Sequence, residues 1–137
     1  MSVNYGPPIR LEDARKAAAA ALEHARANDW RMAVAITDPG GNLVYFEKMD
    51  DTQLGSVRVS MDKARSAALF RRPTKDFQNV LAAGGDGLRV LALAGAIPVE
   101  GGIPLVIDGR IAGAIGVSGG ASDQDGRCAR AGADALA

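Results

Sequence analysis

One stretch restricts the fold of this chain more than any other. Ile103 to Ile107 is an apolar run, Asp108-Gly109 follows, and Arg110 to Val117 runs back. Asp-Gly suits a type I′ turn, in which both central residues have positive φ, so the stretch predicts an antiparallel hairpin. The return strand has two unlike faces. Ile111, Ile115 and Val117, with Gly113 among them, point one way; Ala112, Ala114 and Gly116 point the other. So bare a face admits another backbone, a helix or a flat ligand at close range. Ser118-Gly119-Gly120 ends the strand, and Ser122 or Asp123 can cap a helix behind it. The start of that helix is a place for an anion.

Length and charge narrow the class. The 137 residues make one domain on ordinary size priors. Sixteen basic and sixteen acidic residues cancel without forming a basic block, which argues against nucleic acid as a partner. A single cysteine, Cys128, rules out an internal disulfide and a cysteine-based metal cluster. No apolar run reaches the length of a membrane span, and Met1 to Arg10 lacks a signal-peptide apolar core. A cytoplasmic protein without membrane contact is the expectation.

Along the chain, residues 1–9 read as a flexible, proline-containing arm and 10–137 as the domain. Leu11 to Asn28 is helical by spacing. Leu11, Ala14, Ala18, Leu22 and Ala25 form one stripe, and Ala17, Ala20, His24 and Ala27 lie opposite. Small residues on both sides predict a helix covered twice, by its own sheet and by a neighbouring subunit. Arg31 to Thr37 and Leu43 to Met49 form a first hairpin around Asp38-Pro39-Gly40-Gly41-Asn42. A second helix runs from Gly55 to Phe70, with Val57, Met61, Ala64 and Ala68 as its buried stripe, and Pro73 stops it. A shorter helix follows from Thr74 or Asp76. Beyond the Gly84–Gly87 loop come a short helix over Leu88 to Ala94, a brief edge strand over Ile97 to Val99, and, after the hairpin, a closing helix to Leu136. The order gives an α+β layered domain with an antiparallel sheet.

Several segments together resemble the GlcG/HbpS-like family, which includes the C-terminal domain of PduO-type proteins and is sometimes labelled haem-degrading. They are Val34 to Gly41, Lys48-Met49-Asp50, Ser60 to Ala68 around Lys63-Ala64, Phe70 to Thr74, Gly101 to Leu105, Gly113 to Gly120, Asp123-Gln124-Asp125 and Cys128-Ala129. The resemblance spans nearly the whole chain. It implies a profilin-like fold with about five antiparallel strands, assembly from dimers to octamers, and a small-molecule ligand such as haem or a related tetrapyrrole.

The residues that could carry chemistry are few. His24, the only histidine, is a candidate haem-iron ligand, against the plainer reading of an ordinary surface or interface histidine. Asp50 and Asp125 are candidate acid–base carboxylates, although first-turn dipole stabilisation alone accounts for Asp125. Gly101, Gly102, Gly119 and Gly120 can offer backbone N–H groups to a ligand or simply serve strand ends. Lys63, with Arg58, can meet a ligand carboxylate or lie on a solvated face. Met49 can offer a thioether. Cys128 reads as a small buried residue. These features leave three functions open: an oligomeric binding protein for haem or another small ligand, an enzyme of lyase or isomerase type acting on a small organic acid, and an accessory or sensory subunit.

Overall fold

A computed structural model describes residues 3–137; Met1 and Ser2, the start of the expected arm, lie outside the described residues. The elements are α1 (Leu11–Ala27), β1 (Ala33–Thr37), β2 (Leu43–Lys48), α2 (Ser56–Phe70), α3 (Thr74–Ala82), a 3-10 helix (Gly85–Ala92), β3 (Gly102–Ile107), β4 (Arg110–Ser118) and α4 (Ser122–Asp134). The sheet is antiparallel, in the order β2-β1-β4-β3. Asp108 and Gly109 both have positive φ, 53° and 77°, as the hairpin turn requires.

The fold class is the expected α+β domain, with four strands among the described residues rather than five. Ile97 to Val99 forms no strand. Three residues between a glycine turn and Glu100 find no free ladder, because the inner edge of β3 is taken by β4 and Pro104 lacks the N–H its outer edge would offer. Helical structure at Leu88 to Ala94 starts earlier, at Gly85, and is 3-10 in character.

Residues 3–9, expected as a loose arm, are tied down. Strand β1 pairs with β4 only from Ala114 to Ser118, which leaves Ile111 and Ala112 with free backbone groups on that edge. The arm takes them. Ile111 N–H donates to Asn4 O (2.8 Å), Gly6 N–H to Ile111 O (2.9 Å) and Ile9 N–H to Ala112 O (2.8 Å). The Tyr5 hydroxyl donates to Ala68 O (2.6 Å) at the end of α2.

Helices cover both faces of the sheet. On one face Val34 and Ile36 of β1, Leu105 of β3, and Ile115 and Val117 of β4 pack with Leu22, Cys128, Ala129 and the alanines of α1. Each fully buried aliphatic side chain here contributes about 1.5–3 kcal/mol. Helix α1 packs on the sheet and on α4 of the same chain; of its second stripe Ala17 is buried, Ala20 and His24 are half-buried and Ala27 is exposed, and Leu11 of the first stripe is exposed too. Ala17 and Ala21 are buried together with Ala14, Ala18 and Ala25. A Cβ at Gly132 of α4 would lie 2.8 Å from Ala17 O, which shows how closely the two helices cross.

The other face carries α2. The bare side of β4 receives this helix, which settles the choice left open between helix, backbone and ligand. A Cβ at Gly116 would collide with Ser60 O and lie 2.5 Å from Ala64 N. The buried residues of α2 are Ser56, Ser60, Lys63, Ala64, Ser66, Ala67 and Ala68; Val57 and Met61, expected in the stripe, are only half-buried. Large side chains would hold the helix off, so this layer is tied by polar contacts. The Ser118 hydroxyl donates to Ser56 Oγ (3.0 Å), Ile97 N–H to Ser66 Oγ (3.1 Å) and Gly102 N–H to Thr74 Oγ1 (2.9 Å).

Two outcomes follow from this packing. Gly116→Ala forces α2 away from β4 and lowers stability by about 1–3 kcal/mol in urea unfolding, while Gly55→Ala, with nothing within 4 Å of the added methyl, leaves the midpoint nearly unchanged. Cys128 is fully buried, and burial pushes its thiol up to about 12. Unfolded, the thiol titrates at about 8.5, so it favours the folded state below that pH and this contribution is lost as pH rises toward 12. Between pH 8 and pH 10 the chain therefore loses about 1–2 kcal/mol more stability than Cys128→Ala does, measured by parallel urea melts.

Candidate functional site

Two constellations hold the chemically capable side chains. The first lies inside the protein, where α2, the end of β4 and the start of α4 meet. Lys63 projects from the small-residue face of α2 and is 1% exposed. Its Nζ donates to Asp125 Oδ2 (2.9 Å) and Val117 O (3.1 Å). Asp125 Oδ1 accepts the Gly120 N–H (2.9 Å). Burial pushes the Asp125 carboxyl above its ordinary pKa, while the Lys63 charge and hydrogen bonds from Lys63, Gly120 and Gly119 pull it back. The solvated face expected for Lys63 is thus replaced by a buried ion pair. Removing one partner of such a pair costs about 3–5 kcal/mol, because the other charge stays buried. The anion at the start of α4 is the chain's own Asp125 carboxylate. Gln124 Oε1 accepts the Ala121 N–H (3.0 Å), so the cap is not supplied by Ser122 or Asp123.

The second constellation is an open cleft of about 590 Å³ among α1, α3, α4 and the start of β3. Such a volume lies inside the range of small-molecule sites, roughly 300–1,000 Å³. Gly101, Gly102 and Ile103 form its floor. Gly126, Arg127, Arg130, Ala131 and Asp134 of α4 form one wall, Pro73, Lys75 and Asp76 another, and His24 and Glu100 complete it. Arg127 and Arg130 share a helix face because they are three residues apart. The Arg127 guanidinium lies 5.2 Å from the centre of the Trp30 ring, and the His24 ring lies 5.8 Å from it on a tilt of 57°. His24 Nε2 is buried and has no hydrogen-bond partner among the described residues.

The candidate residues divide between these places. His24, Gly101 and Gly102 line the cleft. Lys63 and Asp125 sit behind it, and Gly120 serves Asp125. A Cβ at Gly119 would collide with Arg31 O, so Gly119 serves close packing. Met49 Sδ accepts the Met32 N–H (3.4 Å), and the side chain packs on the main core. Asp50 is exposed beyond β2 and is not part of the cleft; the structure does not bring it together with Asp125. Arg58 is exposed, and Asp38 shapes the first hairpin by accepting the Asn42 N–H (2.9 Å). Sequence reading missed Lys75, Glu100, Arg127, Arg130 and Trp30. The arginine pair at helical spacing was the one available signal; nothing in the sequence brings Trp30 to α4.

The donors fit a ligand with acid groups and an atom that accepts imidazole. His24 supplies the unpartnered nitrogen, and Lys75, Arg127 and Arg130 supply cationic donors. Lys75 is shared with Glu100 at 3.9 Å. Pro73, Ile103 and Ala131 give the cleft an apolar part.

Comparison with known proteins gives a consistent result. Residues 9–134 match the family described as "Haem degrading protein HbpS-like". Protein GlcG of Escherichia coli K12 is 40% identical over 100 residues, 73% of each chain. A crystal structure of a Streptomyces reticuli HbpS double mutant superposes with a TM-score of 0.87 at 30% identity, covering 98% of this chain and 91% of that one. A crystal structure of a PduOC:heme complex superposes with a TM-score of 0.84 at 26% identity, covering 94% and 95%. On the extent of the sequence match and the identity to GlcG, this chain belongs to the HbpS-like family.

Proposed function

We propose that this protein is a cytoplasmic, oligomeric binding protein that holds haem or a related tetrapyrrole in the cleft beside His24. The observation that carries the reading is His24 Nε2, a buried imidazole nitrogen without a partner among the described residues, on the wall of a cleft that also bears Arg127, Arg130 and Lys75. A buried polar atom left unpaired costs free energy, and a ligand that satisfies it recovers that cost. Imidazole is a common axial ligand of haem iron, and the cationic side chains match carboxylates at a macrocycle's edge. The haem complex of the PduOC relative supports the ligand class. Bound iron would supply redox capability; the chain's own part is to ligate and to hold the acid groups. Nε2 is shielded in this structure, so ligation would require the His24 ring to turn.

Hemin titration tests this. The expected result is a shifted and sharpened Soret band together with quenching of Trp30, the only tryptophan. His24→Ala abolishes the Soret shift, and Arg130→Ala weakens binding about 5- to 30-fold, the ~1–2 kcal/mol of a charge-assisted hydrogen bond. A spectrum indistinguishable from free hemin in the wild-type protein sinks the reading.

Assembly rests on a different surface. Val80, Leu88, Leu91 and Leu93 are 44–69% exposed around α3 and the 3-10 helix, an apolar grouping larger than scattered surface leucines require. We propose that copies of the chain cover it, in a dimer or a larger ring up to an octamer. Light scattering after size exclusion should give a multiple of 14.1 kDa, and Leu91→Asp should reduce that multiple. A wild-type monomer at micromolar concentration contradicts the assembly.

A further inference from the structure

We infer that the Lys63–Asp125 pair is a positioning device for the cleft, setting the spacing between its floor and its α4 wall. The inference rests on the reading of that cleft as a ligand site. Neither residue lines the cleft, yet both touch what does. On the floor side, a Cβ at Gly101 would lie 2.7 Å from Lys63 Nζ and 3.0 Å from Lys63 Cδ, and a Cβ at Gly102 would collide with Lys63 O. The two floor glycines are therefore seated on Lys63, side chain and backbone. On the wall side, Asp125 directly precedes Gly126 and Arg127, and a Cβ at Gly126 would collide with the Glu100 carboxylate, so the wall packs directly against the residue that precedes the floor glycines. The pair joins these two sides through bonds of fixed direction: Nζ to Asp125 at 2.9 Å, Nζ to Val117 O at 3.1 Å, and the carboxylate to Gly120 N–H at 2.9 Å.

Cohesion alone does not require charge here. Apolar residues of the same volume replace buried ion pairs in other proteins without loss of stability, and sometimes with a gain. An apolar contact, however, fixes neither distance nor angle as these three directed hydrogen bonds do. Arg127 lies two residues beyond Asp125 and stacks on Trp30, so a shift of the wall reaches an optical probe without any ligand.

Three measurements test the inference. In the unsubstituted protein, native-state hydrogen exchange of Gly102 on the floor and Gly120 at the wall's base should show one common opening equilibrium; independent openings overturn it. In Lys63→Met/Asp125→Leu, acrylamide quenching of Trp30 should rise at least twofold while far-UV circular dichroism and the cooperative melt are retained. A folded double variant with wild-type quenching overturns the inference. Should the double variant fail to fold, Asp125→Glu keeps both charges and moves the carboxylate by one methylene. A folded Asp125→Glu with altered quenching supports positioning, and one with unaltered quenching overturns it. With hemin as the probe, the double variant should bind at least tenfold more weakly than wild type, and equal affinity counts against the pair. Failure of wild-type protein to bind hemin would instead overturn the cleft reading, and leaves the exchange and quenching results to decide the positioning role.

Discussion

The backbone of α2 lies directly on the backbone of β4 at Gly116, and much of the structure depends on that approach. A helix that close to a strand has no room for the aliphatic side chains that hold the opposite face. Its interface must be small and cohere by short-range contact and hydrogen bonds, each worth about 0.5–1.5 kcal/mol net. This is why α2 buries serines and alanines, and why hydroxyls of Ser56, Ser66 and Thr74 reach β4, the segment before β3, and Gly102. Lys63 is the exception in size. Its stem runs along the same face, and its ammonium ends where water does not reach. Such a charge is tolerable only with a partner, and Asp125 provides it.

That pairing fills the start of α4 with a carboxylate of the chain itself. A helix N-terminus beside a glycine loop is a natural anion site, but Asp125 occupies this one from within. The free donors of α4 lie further along, at Arg127 and Arg130, on the face that turns toward His24 and Lys75. On the proposed reading of the cleft, recognition is displaced by about one helical turn from the loop that first suggested it. The cleft carries acidic side chains as well, Asp76, Glu100 and Asp134, so its field is mixed. Selectivity among anions then comes from the placement of individual groups more than from net potential.

Much of this was legible in the sequence, for identifiable reasons. The Asp108-Gly109 turn, the two-faced β4 and the doubly striped α1 are local patterns with one geometric meaning each. What was not legible concerned which element covers which. Periodicity showed that α1 needs a second cover; it does not say whether α4 or another copy supplies it. Lys63 looked like a solvated residue because lysine usually is one, and Asp125, its partner, lies 62 residues away. The arm at residues 3–9 has no strand-like alternation. It is ordered because β4 is longer than β1 and leaves backbone groups unpaired at one end. His24 was found as the lone histidine, but Trp30 and Arg127 meet beside it only through the α1–α4 packing.

The division between scaffold and cleft bears on what membership in the HbpS-like family conveys. The segments that carry the resemblance include Ser60 to Ala68, Gly101 to Leu105, Gly113 to Gly120 and Asp123 to Asp125. In the structure these are the parts that bring α2, β3, β4 and α4 together around Gly116 and the Lys63–Asp125 pair. His24, Lys75, Arg127 and Arg130 fall outside every one of them. The signature thus describes a way of packing a helix on a bare strand and of pinning the next helix to it. The side chains lining the cleft lie outside those segments and are presented by this packing. Substituting Lys75 or Arg130 costs little stability, since both are exposed, whereas His24 and Arg127 also pack against Trp30. On the proposed reading of the cleft, chains that share this scaffold can differ in what they bind through positions 24, 75, 127 and 130.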